Sequence, residues 1–254
     1  MNKSFQRSVR LSVSAIALVA VVSWASRASA QVDVTAPGNP IVGVQATAQQ
    51  AGPSSIAQPS PPAPGTEPNR FPSPNETPAK AIDNLFAGPV PPAPATGTKY
   101  LNFARLNTGV IVTPGPSLVT GLRVYTANDS PERDPLTYTL EGTNSATPNT
   151  ASGTDFTPIS SGNLGIDTIP AGAAGRFFAG PILGPFTNTT VYSSYRLLFP
   201  TVRGTPTDPN GGNSMQVGEI ELLGTVIPEP ATSVLLGGAA LGLLVVRARR
   251  HRVA

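Results

Sequence analysis

The chain of 254 residues contains no cysteine and only one histidine. The lack of cysteine excludes disulfides and a thioether-linked lipid anchor. The single histidine, His251, and the single tryptophan, Trp24, both lie outside residues 31–227. This central body therefore lacks a Ser-His-Asp or Cys-His nucleophile pair and the usual zinc ligands. Only carboxylate chemistry remains, and no two acidic residues are marked as a pair, so we expect a protein that is not an enzyme.

The net charge of +3 belongs to the two ends of the chain. Eight of the 17 Lys and Arg residues lie in the terminal segments, which leaves nine basic and thirteen acidic residues in 31–227, a balance of −4. A mildly acidic body lacks the basic patch that nucleic-acid binding requires. We therefore expect no nucleic-acid partner.

The N-terminal segment has the pattern of an export signal. Three basic residues precede an apolar run from Leu11 to Val22, which is followed by Ala28-Ser29-Ala30. A positive start, a short apolar run and small residues at −3 and −1 are typical of a signal peptide. We expect signal peptidase to cut after Ala30, so that residues 1–30 are removed. An uncleaved N-terminal anchor is the alternative.

The C-terminal segment, 226–254, has the pattern of a membrane-directed sorting signal. Pro228, Glu229 and Pro230 precede 16 apolar residues, 231–246, and then a cluster of arginines: Arg247, Arg249, Arg250 and Arg252. The apolar span is slightly shorter than the roughly 20 residues that cross a bilayer as a helix. The arginines are expected to stay on the cytoplasmic side. An ordinary C-terminal transmembrane anchor is one interpretation of this segment.

Pro-Glu-Pro directly before such a helix resembles the PEP-CTERM sorting signal of exopolysaccharide-producing Gram-negative bacteria, which an exosortase recognises. The resemblance implies that the helix is transient and that the chain is cut near Pro228–Pro230. It also implies an inner-membrane intermediate and a final location at the cell surface or outside the cell.

Residues 31–74 are rich in Pro, Ala, Gln, Ser and Gly and show no sustained apolar periodicity. This composition predicts a disordered, partly polyproline linker. Residues 75–225 instead contain short runs in which apolar and polar residues alternate, as in strands. The clearest runs are 122–126, 136–141, 191–199 and 219–222. They predict an all-β domain, an antiparallel β-sandwich.

Three blocks of this domain share a known family pattern: residues 75–84 with 98–103, residues 121–144, and residues 195–197 with 215–224. Together they resemble the discoidin-type (coagulation factor type C) galactose-binding-like jelly roll. The blocks occur in the family's order. The long insert between Asn84 and Thr98 departs from the family pattern.

The resemblance implies a structural Ca²⁺ where the early loop meets the last strand. Its ligands would be the Lys80 carbonyl, the Asp83 side chain, Thr98, the Gly218 carbonyl and the Glu219 side chain. Ca²⁺ prefers such a mixture of carboxylate and carbonyl oxygens. In the alternative interpretation, Asp83 only caps a turn and Glu219 faces solvent on an edge strand.

A second polar cluster spans residues 128–135, where prolines flank four charges and predict an exposed, rigid turn. In one interpretation Arg133 and Asp134 contact a polysaccharide or a partner. In the other, Arg133 pairs with Asp129 or Glu132 and orders the loop. Phe177 and Phe178 lie in a Gly-rich segment and are the aromatic candidates for an exposed binding loop.

Three functions are compatible with these observations. The first is an exported, non-enzymatic cell-surface or extracellular-matrix protein that presents a β-sandwich for adhesion or for association with an exopolysaccharide or biofilm matrix. The second is a carbohydrate-binding, lectin-like module. The third is an extracellular polysaccharide hydrolase, which would need two convergent carboxylates in a cleft.

Overall fold

The computed structural model describes residues 31–46, 55–58, 76–85, 98–150, 155–169, 176–205, 207 and 212–228. These residues form β-strands joined by loops and short 3₁₀ turns. The strands are β1 Val32–Asp33, β2 Ile41–Ala46, β3 Ser55–Gln58, β4 Tyr100–Asn102, β5 Thr108–Val112, β6 Ser117–Tyr125, β7 Thr137–Thr143, β8 Thr157–Asn163, β9 Ser194–Phe199, β10 Met215–Val217 and β11 Glu219–Val226. The 3₁₀ turns are Pro78–Ala81, Pro131–Arg133, Pro148–Thr150 and Ile166–Thr168.

All strand pairs in these ranges are antiparallel. One sheet has six strands in the order β3-β2-β5-β9-β7-β8, and a second has three in the order β1-β11-β6. Strand β10 pairs with β4 in a third, two-stranded sheet. The antiparallel β-sandwich predicted from the sequence is confirmed.

The core lies between the two larger sheets and follows from the alternation of side chains along each strand. On the smaller sheet, Leu222 lies opposite Leu122 and Ile220 lies opposite Val124. These four residues are buried in one apolar cluster with residues of the large sheet. The large sheet contributes Val110, Val112, Tyr138, Leu140, Tyr195, Leu197 and Phe199.

The other face of the large sheet is also covered. Val44, Ile111, Phe156 and Leu198 form a second buried apolar cluster there. Beside it, the fully buried Arg196 donates from Nε to Glu141 Oε2 at 2.5 Å, and its Cζ lies 4.0 Å from the centroid of the Phe156 ring. A buried charge of this kind is tolerated because its partner and a stacked ring replace lost water.

The predicted linker is wrong over its first part, because residues 31–46 belong to the sandwich. Strand β1 pairs with β11, and β2 pairs with β5 in the large sheet. Val44 is fully buried, and the Val34 amide donates to the Leu222 carbonyl at 2.8 Å. Strand β2 is only six residues long. Because prolines flank it in the sequence, the composition of the segment predicted a linker.

One predicted strand is shorter than expected. The run 191–199 becomes β9 only from Ser194, because Tyr192 leaves the sheet and forms an isolated bridge with Ser117. The strands predicted around 122–126, 136–141 and 219–222 correspond to β6, β7 and β11.

The residues predicted to direct export and sorting lie outside the described ranges, with one exception. Pro228 is described and exposed, and it follows the end of β11 by two residues. The undescribed residues of these two signals are Ala28, Ala30, Glu229, Pro230, Arg247, Arg249 and Arg250. Within the described part of the chain, we find no helix with the length and apolar character needed to span a membrane.

Candidate functional site

The turn after the first 3₁₀ segment is built around the carboxylate of Asp83. Its Oδ1 accepts a hydrogen bond from the Leu85 amide at 3.0 Å, and its Oδ2 accepts one from Thr98 Oγ1 at 2.6 Å. The Lys80 ammonium lies 3.3 Å from the same Oδ2. Asp83 thus caps the turn, as one of the two interpretations of the sequence expected.

Glu219 lies beside this turn and is fully buried. Its Oε2 accepts a hydrogen bond from the Asn84 amide at 3.2 Å, and Asn84 adopts a left-handed φ of 57°. Its Oε1 is buried without a hydrogen-bond partner. Burial, and secondarily the nearby charge of Asp83, raise the pKa of Glu219 to about 8. The expectation that Glu219 faces solvent is therefore wrong.

The structure brings Lys80, Asp83, Thr98 and Glu219 to one place, and Gly218 precedes Glu219 in the chain. Within the described ranges, no three acidic or histidine side chains converge. A cation here would therefore use the two carboxylates with hydroxyl, carbonyl or water oxygens, a donor set that suits Ca²⁺. The unpartnered Glu219 Oε1 fits such an ion, while the Lys80 ammonium provides part of the positive charge at Asp83.

The predicted ligand loop has a different role from the one proposed for it. Asp134 is fully buried, where it forms an ion pair with Arg176 and lies 3.7 Å from Arg203. Burial raises the pKa of Asp134 to about 6, although both guanidinium groups oppose this effect. Asp134 therefore holds three loops together and is not an exposed contact. Its neighbour Arg133 is only partly buried.

The aromatic candidates are also structural. Phe177 is buried at a left-handed φ of 58°, and its ring lies against Gly218. Phe178 is partly buried, and its amide donates to Thr126 Oγ1 at 3.0 Å. Neither ring belongs to a wholly exposed loop. Residues 176–180 instead bond to the end of β6 and the residues that follow it: the Phe177 amide donates to the Ala127 carbonyl and the Gly180 amide to the Val124 carbonyl.

A cleft of about 410 Å³ lies on the outer face of the three-stranded sheet. Each of the three strands supplies at least one wall residue, and Ile182 adds an exposed apolar edge. The cleft is lined by Gln31, Asp33, Arg123, Ile182, Glu221 and Leu223. Arg123 and Glu221 lie directly opposite each other in the sheet, and so do Asp33 and Leu223.

One side of the cleft is a prearranged polar network. The Tyr125 hydroxyl donates to Glu221 Oε1 at 3.0 Å, and Arg123 Nη1 lies 3.6 Å from Glu221 Oε2. Arg123 Nη1 also donates to the Tyr125 hydroxyl at 3.3 Å. The Nε atom of Arg123 is buried and has no hydrogen-bond partner in the structure. Because Nε is buried, a molecule in the cleft would meet the exposed part of the Arg123 side chain and not this atom.

The other side of the cleft carries Asp33. Its Oδ1 accepts hydrogen bonds from the amide of Thr35 at 2.9 Å and from the Thr35 hydroxyl. Burial, and to a smaller extent the charge of Glu221, raise the pKa of Asp33 to about 6. In the described residues, Asp33 forms no ion pair.

The sequence alone missed this cleft. The alternating patterns did place Arg123 and Glu221 on the faces of their strands opposite Leu122 and Leu222. The missing information was the strand β1, because Gln31 and Asp33 fell in the stretch assigned to the linker. A polar residue between two valines at 32–34 was the only available signal.

Comparison with known proteins gives distant structural similarity. No family model and no curated protein matches the chain. Chitosan-binding module 1 from a chitosanase/glucanase of Paenibacillus sp. IK-5 is 13% identical with a TM-score of 0.41, over 76% of this chain and 99% of that one. CBM32-3 from a family 31 glycoside hydrolase of Clostridium perfringens is 14% identical with a TM-score of 0.42, over 60% and 85%.

A fucolectin from striped bass (Morone saxatilis) serum is likewise 14% identical, with a TM-score of 0.42, over 79% of this chain and 51% of that one. At such low identity and TM-score, these similarities do not identify a ligand. The function has to be inferred from the residues of this chain.

The cation site remains a prediction, and thermal unfolding with Ca²⁺ or EGTA tests it. Saturating Ca²⁺ should raise the midpoint of the wild type by about 5 °C, because it binds only the folded state. Glu219→Gln should remove this response, whereas Asp167→Asn, a change at an exposed carboxylate, should keep it. A wild-type midpoint that is equal in Ca²⁺ and EGTA would reject the site.

The stability of the folded state in EGTA should also depend on pH. In EGTA, the folded state holds a proton on Glu219 up to about pH 8, while the unfolded chain releases it near its ordinary value of 4.5. The stability of the wild type should therefore fall as pH rises between these two values. Glu219→Gln should show a smaller fall, since its side chain does not titrate.

Proposed function

We propose that this chain is an exported, non-enzymatic surface or matrix protein that binds saccharides in the cleft on its three-stranded sheet. The observation that carries the proposal is that the partly exposed side chain of Arg123 and the carboxylate of Asp33 line a single cleft. Both groups lie beside the aliphatic side chains of Ile182 and Leu223.

Sugar hydroxyls suit this combination because each can donate one hydrogen bond and accept others. Arg123 would donate to a ring oxygen, Asp33 would accept from a neighbouring hydroxyl, and the Gln31 amide can do both. The aliphatic side chains provide a surface for the C–H groups of the ring. A volume of about 410 Å³ also falls in the range of small-molecule sites.

The contacts of the Glu221 carboxylate favour saccharide binding over saccharide hydrolysis. A glycosidase needs one carboxylate that protonates the leaving group and a second that attacks or activates water. Glu221 instead accepts a hydrogen bond from Tyr125 and faces the Arg123 guanidinium. These contacts use the carboxylate as a charge partner within the sheet, which suits a recognition surface.

Export and sorting complete the proposal. The first strand of the sandwich begins at Val32, two residues after the predicted signal-peptidase site, and exposed Pro228 follows its last strand. Pro228, the first residue of the Pro-Glu-Pro motif, would therefore stay accessible to an exosortase after folding. We propose that the processed protein reaches the cell surface or the extracellular matrix of a Gram-negative bacterium, where it associates with exopolysaccharide.

Isothermal titration with oligosaccharides and with exopolysaccharide from the native bacterium tests saccharide binding. Arg123→Ala should weaken binding by about tenfold, because a charge-assisted hydrogen bond is lost. The matched control is Arg133→Ala, which removes an arginine from the loop first predicted to bind ligand. The proposal is wrong if no saccharide binds, or if only Arg133→Ala reduces binding.

Mass spectrometry of the protein from fractionated cells tests the sorting. We expect a mature N-terminus at Gln31, a C-terminus near Pro228–Pro230 and a location outside the inner membrane. Replacing Glu229 with Gln should leave the tail attached. An intact chain that ends with the arginine cluster and stays in the inner membrane would indicate an ordinary anchor.

A further inference from the structure

The charges around the cleft are unequal. Two carboxylates, Asp33 and Glu221, line it together with one guanidinium, that of Arg123. Glu219, two residues before Glu221 on β11, has a pKa of about 8, so it is mostly protonated at neutral pH and adds little negative charge. The Tyr125 hydroxyl is the remaining titratable group of this network.

The two carboxylates of the cleft differ in how their charge is compensated. Glu221 faces Arg123 at 3.6 Å and accepts a hydrogen bond from Tyr125. Asp33 accepts hydrogen bonds from the amide and hydroxyl of Thr35, and no cation lies within ion-pair distance in the described part of the chain. With a pKa of about 6, Asp33 is mostly ionised at neutral pH. The protein thus holds a partly buried negative charge at the edge of an open cleft.

We propose that the cleft selects a saccharide bearing a free amine, whose ammonium pairs with Asp33 while its hydroxyls bond to Arg123 and Gln31. This inference rests on the proposed saccharide-binding function and names the ligand class of the same cleft. A de-N-acetylated amino-sugar polymer has the required chemistry, because it repeats an ammonium beside ring hydroxyls.

The other glycan classes fit less well. A uronic-acid or sulfated polymer would place its anion beside Asp33 and Glu221, and like charges in a partly buried site repel strongly. A neutral polymer could satisfy Arg123 but would bury Asp33 further without compensating its charge, which costs free energy. An ammonium removes that cost and forms a charge-assisted hydrogen bond.

Titration with three oligosaccharides tests the selection. The probes are a glucosamine oligomer, its N-acetylated counterpart with the same backbone, and a uronate oligomer, all at neutral pH and moderate salt. The wild type should bind the amine form about tenfold more tightly than the N-acetylated form. The uronate should bind most weakly of the three.

Two variants separate the proposed contacts. Asp33→Asn should bring the affinities for the amine and N-acetylated oligomers to about the same value, because Asn keeps an oxygen for Thr35 but loses the charge. Arg123→Ala should weaken the binding of both oligomers and leave the ratio of their two affinities unchanged. The thermal midpoint of Asp33→Asn should not fall, since the raised pKa of Asp33 shows that the fold favours its neutral form.

The results that would contradict these expectations distinguish a failure of the amine selection from a failure of saccharide binding. If the wild type binds both oligomers equally, or if Asp33→Asn keeps the preference for the amine, the selection by Asp33 is wrong and saccharide binding stands. If none of the oligosaccharides or native exopolysaccharides binds, the proposed function itself fails.

Discussion

Strand β11 lies between β1 and β6, and the register of these two pairings places Asp33, Arg123, Glu219 and Glu221. Ile220 and Leu222 point into the core, so Glu219, Glu221 and Leu223 point away from it. A slip of one residue would exchange these two sets and bury the acidic side chains in the sandwich. The apolar core therefore fixes the positions of the carboxylates, and the loops and β1 provide the residues that surround them.

The charged residues of this protein fall into two groups according to their partners. Arg196 with Glu141, and Arg176 with Asp134, are buried pairs whose charges are compensated within the protein. Removing one member of such a pair would leave a buried charge, which is strongly destabilising, so these pairs act in folding. Glu219 and Asp33 form no ion pair among the described residues, and burial raises the pKa of both. This contrast marks the outer side of the small sheet as the place where a cation or a cationic group is expected.

Much of the sandwich could be predicted from alternation along the chain, because residues such as Leu122 and Leu222 occupy one face of a strand whatever their partners are. The proximity of Asp83 and Glu219 could not be obtained in this way, since 135 residues separate the Asn84 amide from the Glu219 carboxylate that it contacts. It followed only from the resemblance to a known family.

The errors have a common physical origin. Residues 31–46 were assigned to a linker by composition, but two short strands need only a few apolar residues when a neighbouring strand supplies their hydrogen bonds. Asp134 was expected on the surface because charged turns usually are, and the two arginines that bury it lie more than 40 residues away in sequence. Partners this distant cannot be read from a single chain without knowledge of its topology.

The cleft depends most on the pairing of β1 with β11, because this pairing places Asp33 at the cleft. Amide hydrogen exchange of the purified protein tests this directly at Val34, whose amide bonds to the Leu222 carbonyl at 2.8 Å. We expect strong protection of Val34, similar to that of the paired amides of β6 and β11. Exchange of Val34 at the rate of an unstructured chain, with β6 and β11 still protected, would show that residues 31–34 are a linker and that the cleft does not exist as described.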